Sequence, residues 1–276
     1  MFLFQIINDV KKNTFNITFI ICLCTSIILF LCSNAYFDIA SDRQYSVIEC
    51  ILNYDKSLVE SKYSFASVLL FFNGFENQYS KIFIPVLSSL PCLISYDAVL
   101  KSGFIRNEYY RCSKKKMIAS KFLAGAISGG LISLLCVLIY GLIVFSVFPS
   151  ISSYHFEDDF IIIENSFLKS INMVIGYIIY GMVSTILPFV LFEFLRNVSI
   201  TESISFIIYY IYYMILNKHA FTIDEPQKIE CFYPHSIISV FNKELDWKTI
   251  IFNFIFIFIS FSVYYLCKMR RSDVCE

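Results

Sequence analysis

A short basic segment between two long apolar runs constrains this chain most strongly. Residues 101–121 contain seven Lys or Arg residues and a single acid, Glu108. The runs 82–100 and 122–148 flank the segment, and about 20 apolar residues suffice for a helix to cross a bilayer. Because loops rich in Lys and Arg stay in the cytoplasm, this segment is predicted to be cytoplasmic. Its placement fixes the side of every other loop.

The composition indicates a membrane protein rather than a soluble domain. Of the 276 residues, 57% are hydrophobic and 16% are charged, whereas soluble domains carry about 25% charged residues. The net charge is zero and gives no reason to expect a nucleic-acid partner. Glycine and proline are few, which favours long helices over turns.

The predicted fold is all-α, a polytopic membrane protein with six transmembrane helices and both termini cytoplasmic. The whole chain, 1–276, is expected to form a single transmembrane domain. In this topology most basic residues lie on the inner side and most acidic residues on the outer side. The predicted spans are approximately 15–35, 82–100, 122–148, 170–192, 197–217 and 249–267.

Three shorter segments have apolar patterns but cannot span a membrane. Residues 2–13 have helical apolar spacing and suit an amphipathic helix on the inner membrane surface; a frayed terminus is the alternative. Residues 65–75 and 235–241, in the two long outer loops, suit re-entrant or interfacial helices. The first outer loop, 36–81, is long, and its role is left open.

Several residues within the spans carry structural expectations. Pro85 and Pro91 are expected to bend the second span, and Pro188 to kink the fourth. Gly125 and Gly129 form a GxxxG pattern, which predicts helix packing without identifying the partner helix.

Polar residues inside the spans are expected to be few. Asp97 is predicted to be the most membrane-embedded acid. It is interpreted either as a gate or substrate contact or as an interfacial residue beside the basic segment. Apart from it, the spans are expected to contain little beyond Ser, Thr, Asn and Tyr.

No catalytic or metal-binding motif is present in the sequence. It has no GxxxxGK[ST] loop for nucleotide phosphates, no HExxH, no GxSxG and no CxxC. The acidic run 157–159 is interpreted as a solvated loop, and no metal site or cofactor is expected in this chain. We therefore expect that the chain is not an enzyme. Cys50 and Cys231 fall in predicted outer loops and either pair or remain free.

Three features resemble one family of membrane proteins. They are the surface helix before the first span, the segment 102–125 (SGFIRNEYYRCSKKKMIASKFLAG), and the ending from Tyr233-Pro234 through the last span to the basic tail at 268–273. Together they resemble the membrane subunit, or permease, of an ABC-2 type bacterial ABC transporter. The resemblance covers nearly the whole chain. The long first outer loop departs from the family's pattern.

The resemblance implies a bacterial plasma-membrane protein that works with a separate ABC ATPase subunit, which carries the ATP and Mg²⁺. It also implies a second permease subunit, identical or homologous, contact with membrane lipid, and a transported substrate such as a bacteriocin peptide. The ATPase would couple through a set of residues in the basic segment: Arg106, Glu108, Tyr109, Tyr110, Arg111, Lys114, Lys115 and Lys116.

Other interpretations remain open at this point. The basic segment alone would also be explained by contact with anionic lipid, at about 1 kcal/mol per basic residue. The whole chain would also suit a membrane sensor or assembly protein that binds a ligand through its outer loops. A channel is a third candidate, although no ring of charged span residues supports it.

Overall fold

The computed structural model describes residues 2–38, 43–52, 70–71, 74–75, 78–103, 113–148, 166–220 and 247–273. This part of the chain is almost entirely helical, with one pair of strands. The helices are α1 (Phe2–Thr14), α2 (Ile17–Leu31), α3 (Val47–Leu52), α4 (Gln78–Lys101), α5 (Lys114–Val147), α6 (Ser166–Ser184), α7 (Ile186–Leu195), α8 (Val198–Ala220) and α9 (Trp247–Asp273). The strands are β1 (Asn34–Asp38) and β2 (Arg43–Ser46).

Four helical segments are long and apolar enough to cross a membrane. They are Tyr79–Lys101, Lys114–Val147, Ile171–Leu195 and Ile251–Met269, and they coincide with the second, third, fourth and sixth predicted spans. A fifth is obtained if α1 and α2 count as one bent span. The helical fold is thereby confirmed and its long apolar helices are compatible with a multi-pass membrane protein, while six crossings and the side of the termini stay predictions. The fifth predicted span lies in α8, which has 23 residues.

The predicted N-terminal helix is present as α1, and it meets α2 at an angle of 65°. The bend lies at Asn16, whose backbone is extended and whose side-chain oxygen accepts a hydrogen bond from the Thr18 amide at 3.2 Å. An Asn in this conformation caps the new helix and satisfies one of its free amides. The chain therefore turns sharply where α1 ends and α2 begins.

A small hairpin follows α2, at the start of the predicted first outer loop. β1 and β2 pair antiparallel, from Asn34 opposite Ser46 to Asp38 opposite Arg43. Ser46 and Glu49 then cap α3, since the Ser46 amide donates to Glu49 Oε2 at 2.9 Å and the Glu49 amide to Ser46 Oγ at 3.3 Å. The sequence analysis predicted no strands, because strands of four and five residues carry a weak pattern.

The expected bend at Pro188 is present as a break in the helix. α6 ends at Ser184 and α7 begins at Ile186, because a proline cannot donate to the carbonyl four residues earlier. That carbonyl, on Ser184, instead accepts a hydrogen bond from the Tyr209 hydroxyl of α8 at 3.1 Å.

The prolines of the second predicted span do not interrupt α4, which runs from Gln78 to Lys101. The carbonyl that Pro85 leaves free belongs to Lys81, and it accepts a hydrogen bond from the Tyr180 hydroxyl at 2.7 Å. Such replacement partners allow proline inside helices that have no access to water.

Gly125 and Gly129 lie at close contacts within the chain itself. A Cβ added at Gly129 would lie against the Thr185 side chain and 2.7 Å from the Gly181 carbonyl oxygen. At Gly125 it would lie 3.1 Å from the Phe189 ring. The two glycines therefore let α5 approach α6 and α7 closely, as small residues do at helix contacts in membranes.

Aromatic side chains fill the interior at both ends of the bundle. One cluster brings α2, α5 and α6 together around Phe30, Tyr140 and Tyr177, and Leu70, Phe71 and Phe75 belong to it. These last three residues lie in the predicted re-entrant segment, of which the structure describes 70–71 and 74–75. The second cluster joins α4, α5, α7 and α9 around Phe122, Phe189 and Tyr264. It lies beside the buried charges considered next.

Candidate functional site: buried charges at one end of the bundle

The N-terminal helix is joined to α5 by an ion pair that is almost withdrawn from solvent. Ile6, Asp9 and Asn13 recur at three- and four-residue intervals, so they share one face of α1, and all three are buried. Asp9 Oδ1 lies 2.6 Å from Lys121 Nζ, and the two side chains are 5% and 7% exposed. The Ser120 hydroxyl donates to Asp9 Oδ2 at 2.9 Å. We refer to Asp9, Ser120 and Lys121 as the α1–α5 clamp.

A buried pair of this kind is held by geometry and added hydrogen bonds rather than by charge alone. Removing two ions from water costs several kcal/mol each, and their attraction offsets this only when the remaining lone pairs are satisfied. Both oxygens of Asp9 have partners. The clamp therefore fixes where α1 lies on α5. Asn13, one turn after Asp9 in α1, adds a hydrogen bond of 3.5 Å to the Ser128 hydroxyl of α5.

A second set of buried charges joins α4, α7 and α9. Glu193 Oε1 accepts a hydrogen bond from the Tyr96 hydroxyl at 2.7 Å and lies 3.2 Å from Lys268 Nζ. Glu193 Oε2 pairs with Arg196 at 2.9 Å. Lys268 also donates to the Tyr96 hydroxyl. We refer to these four residues as the Glu193 cluster.

The Glu193 cluster also explains the tight connection between α7 and α8. Arg196 has a positive φ of 53°, a left-handed conformation that is costly for a residue with a Cβ. Its guanidinium reaches back to Glu193 within the same turn. Asn197 follows and caps α8, because its Oδ1 accepts from the Ile200 amide at 3.2 Å.

A crevice lies between the α1–α5 clamp and the Glu193 cluster. It is small and partly open to solvent. Asp9, Lys12 and Asn13 of α1 line one side, Ser95 and Tyr96 of α4 another, and Lys121 with Ala124 of α5 a third. The Ser95 hydroxyl donates to the Lys12 carbonyl at 3.3 Å. Phe189 of α7 also lines the crevice. The crevice is thus bounded by four helices, which both polar contacts and the second aromatic cluster hold together.

The expectation for Asp97 was wrong in one respect. Its side chain is 17% exposed and pairs with Lys101 at 2.6 Å across one helical turn. Asp9, Glu193 and Glu202 are all more deeply buried. Asp97 therefore belongs to the exposed edge of α4, and it is not the most embedded acid in the chain.

The expectation that the spans contain little beyond Ser, Thr, Asn and Tyr was also wrong. Lys121, Glu193 and Lys268 each lie one residue beyond a predicted span, yet the helices continue past these residues and bury them. The sequence signal was their position, because each is the first charge beside a long apolar run. Charges that helices bury in such places mark functional or pairing sites in membrane proteins.

The structure brings together only part of the predicted coupling set. Lys114, Lys115 and Lys116 form the first turn of α5; Lys115 and Lys116 are exposed, and the following Met117 and Ile118 are fully buried. α5 thus begins eight residues before the third predicted span. The remaining predicted coupling residues lie outside the described part of the chain: Arg106, Glu108, Tyr109, Tyr110 and Arg111.

The described residues contain no group of three or more His, Cys, Asp or Glu side chains that could hold a metal ion. The acidic run 157–159 lies outside the described ranges. Cys50 is half-buried and has no disulfide partner among the described residues; Cys231 is not among these residues, and the pairing of the two stays open. Comparison of the chain with models of protein families, with curated proteins and with solved structures finds no match.

Proposed function

We propose that this chain is the membrane-spanning subunit of an ABC transporter of the ABC-2 type, powered by a separate ATPase subunit on the cytoplasmic side. The observation that supports this most directly is the α1–α5 clamp. It joins the surface helix to the helix that continues from the basic segment, within one turn of the point where α5 enters the apolar region.

The proposed mechanism follows from the order of contacts along α5. An ATPase that binds the basic segment would displace Lys114–Lys116 at the start of this helix. Lys121 lies seven residues farther, about 10 Å along the axis, and holds Asp9 of α1. Because α5 is one uninterrupted helix of 34 residues, displacement at its start reaches both α1 and the helices on its far side.

The crevice gives this motion a place to act. Its walls belong to α1, α4, α5 and α7, and α4 is joined through Tyr96 to α7 and α9. A movement of α5 relative to α4 would widen or narrow the crevice. It would also strain the contacts within the Glu193 cluster. Transport in this scheme needs no catalytic residue in the chain, since ATP and Mg²⁺ belong to the partner. A peptide such as a bacteriocin remains the proposed cargo.

The test is purification of the full chain, with a C-terminal tag, from membranes of its native host. We expect a stoichiometric subunit with a P-loop, and ATP hydrolysis only when that subunit is present. A photo-crosslinker at Lys115 should join the two, whereas the same crosslinker at Leu142, exposed on the far half of α5, should not. A chain that purifies alone and gives no crosslink from Lys115 would instead favour the sensor or assembly role.

The proposed topology is tested separately by cysteine labelling in intact cells. Both termini and Lys114 are expected to be protected from an impermeant reagent, while Asp55, Asp158 and Glu225 are expected to react. The basis is the concentration of Lys and Arg in the segment 101–121. Labelling at position 114 in intact cells would show that the orientation is the reverse of the proposed one. The proposed docking side of the ATPase would then be wrong as well.

A further inference from the structure

Glu202 is a buried carboxyl group that neither the α1–α5 clamp nor the Glu193 cluster contains. It lies near the start of α8, and the residue is 6% exposed. Its Oε1 is 2.8 Å from the hydroxyl of Ser89 on α4. Its Oε2 is buried and has no hydrogen-bond partner among the described residues. Within this part of the chain Glu202 therefore makes a single hydrogen bond, and that bond joins α8 to α4.

No cation offsets a charge on Glu202 among the described residues. The titratable groups that face it are uncharged thiols, Cys22 from α2 and Cys92 from α4. On α7, Glu193 and Arg196 pair with each other. Lys218 is 16 residues away on the same helix, about 24 Å along the axis. Asp9 and Glu193, by contrast, each hold a lysine.

Counting protons at Ser89 indicates which form of Glu202 fits the site. The Ser89 hydroxyl lies 2.9 Å from the Pro85 carbonyl oxygen and 3.1 Å from that of Val86, besides its contact with Glu202. A serine hydroxyl has one proton to donate. If that proton goes to a backbone carbonyl, the contact with Glu202 is a hydrogen bond only when the carboxyl group itself donates.

The ionised form has no comparable arrangement. A carboxylate at this position would accept one hydrogen bond at most and would keep one oxygen buried without a partner. An uncompensated charge in such surroundings is neutralised rather than kept. The neutral acid, in contrast, donates to Ser89 Oγ, and Ser89 donates onward to Pro85. This chain of two hydrogen bonds uses both hydroxyl protons and leaves no charge uncompensated, whereas Oε2 has no partner among the described residues in either form.

We propose that Glu202 is a proton-binding site, and that its neutral carboxyl group closes the contact between α8 and α4 by donating to Ser89. When α8 parts from α4, Glu202 meets water and releases its proton to it; when the helices close again, Glu202 takes one proton back. The ligand is a proton because the exchange between the neutral acid and the carboxylate needs no other species, and Glu202 is not among the residues that line the crevice described above.

The remaining contacts around this site are between uncharged groups. Ionisation of Glu202 alone would therefore be enough to disfavour the closed contact between α8 and α4. The hydroxyls of Ser88 on α4 and Ser184 on α6 lie 3.1 Å apart, and Tyr209 of α8 donates to the Ser184 carbonyl. An ionised Glu202 would be the one unpaired charge among them. The proposal concerns the α4–α8 contact alone and stands whether or not the chain serves an ABC transporter.

Infrared spectroscopy of the purified full chain in lipid bilayers tests the proposal directly. At neutral pH the wild-type chain should show the carbonyl stretch of a protonated carboxylic acid, and Glu202→Gln should lack it. Asp97→Asn is the matched control, because Asp97 is an ion-paired acid on α4, and it should leave the band unchanged. Absence of the band from the wild-type chain would overturn the proposal.

A second variant keeps the test decisive should Glu202→Gln fail to fold. Ser89→Ala removes the acceptor of the Glu202 proton but leaves the carboxyl group in place. The band should then persist and shift to higher frequency, as for a carboxylic acid that has lost its hydrogen bond. A band that neither shifts in Ser89→Ala nor disappears in Glu202→Gln belongs to another acid and contradicts the assignment.

Discussion

The Tyr209 hydroxyl lies 3.1 Å from the carbonyl oxygen of Ser184, the atom that Pro188 leaves without a partner inside its own helix. Tyr180 does the same for Lys81, the residue four positions before Pro85, at 2.7 Å. Each tyrosine lies on a different helix from the proline it compensates. Two of the bundle's helix contacts therefore exist where a proline has removed a backbone hydrogen bond.

Tyr209→Phe and Tyr180→Phe are expected to destabilise the protein by about 1–3 kcal/mol each, because each leaves a buried carbonyl without a partner. The measurement is thermal unfolding of the full chain in detergent. Tyr210→Phe is the control, since Tyr210 is exposed on α8, and it should change stability little. Equal stability of all three variants would show that water reaches both carbonyls.

The α1–α5 clamp makes a distinct prediction, because breaking one partner of a buried pair leaves the other charge uncompensated. Asp9→Asn is expected to cost about 3–5 kcal/mol of unfolding free energy. Adding Lys121→Met to it removes the orphaned charge and should restore part of that loss. Lys11→Gln, at an exposed position of the same helix, is the control. A double variant that is less stable to unfolding than Asp9→Asn alone would contradict the pairing of Asp9 with Lys121.

Gly129→Ala is expected to destabilise the protein by about 1–3 kcal/mol through overpacking, although alanine favours helix by up to about 1 kcal/mol. The new methyl group would meet the Gly181 backbone at 2.7 Å, and a backbone atom cannot move aside without its helix. Gly125→Ala is the matched comparison. Its closest neighbours are ring atoms of Phe189 at 3.1 Å, which can shift, so its cost should be smaller.

Cys50 offers a pH-dependent measurement outside the spans. Burial raises the pKa of the Cys50 thiol to about 11, and the nearby Glu49 carboxylate adds to the shift. Since the thiolate is the reactive form, alkylation under reducing conditions should be slow at neutral pH and accelerate as the pH approaches about 11. Mass spectrometry of the Cys50 peptide follows this reaction.

Glu49→Gln separates the two causes of that shift. Glutamine keeps the capping role with Ser46 but removes the negative charge, so alkylation of Cys50 should become faster at a given pH. Rapid alkylation of the wild-type protein at neutral pH would contradict the burial of this thiol. A peptide that reacts only after reduction would instead indicate a disulfide.

The proposed coupling role predicts a loss of partner binding without a loss of insertion. Tyr109→Ala combined with Tyr110→Ala should weaken association with the ATPase by at least about 2 kcal/mol, as truncation of central interface residues does. Glu108→Arg should uncouple ATP hydrolysis from transport, whereas a segment that only contacts anionic lipid would tolerate the added positive charge. Asn107→Ala is the control. Unchanged association and transport in both test variants would remove the coupling assignment.

The helical, multi-pass architecture could be predicted because long apolar runs with flanking charges leave few alternatives. Gly125 and Gly129 were likewise recognised as packing residues from their spacing. Their partner, the helix with Gly181, could not be recognised, because a GxxxG pattern specifies a close approach and not which helix makes it. The same reasoning covers Pro188: the break was predictable, but the compensating Tyr209 was not.

The buried charges escaped prediction for a physical reason. Hydropathy places the end of a span at its first charged residue, so Lys121, Glu193 and Lys268 were assigned to the loops. The helices continue beyond these positions because the charges find partners on neighbouring helices. Pairing is a property of the packed bundle, and no single span carries the information. Glu202 fell within the fifth predicted span, 197–217. Its contact with Ser89 of α4 could not be recognised from the sequence.

The length of α5 has a further consequence for any partner that binds its first turn. Its 34 residues extend for about 51 Å; even at a steep tilt of about 40° they rise roughly 39 Å, beyond a hydrocarbon core of about 30 Å. The excess allows Lys114–Lys116 to lie beyond the hydrocarbon core. A partner can therefore contact these lysines outside that core, and deleting one turn, about 5.4 Å, would draw them toward it.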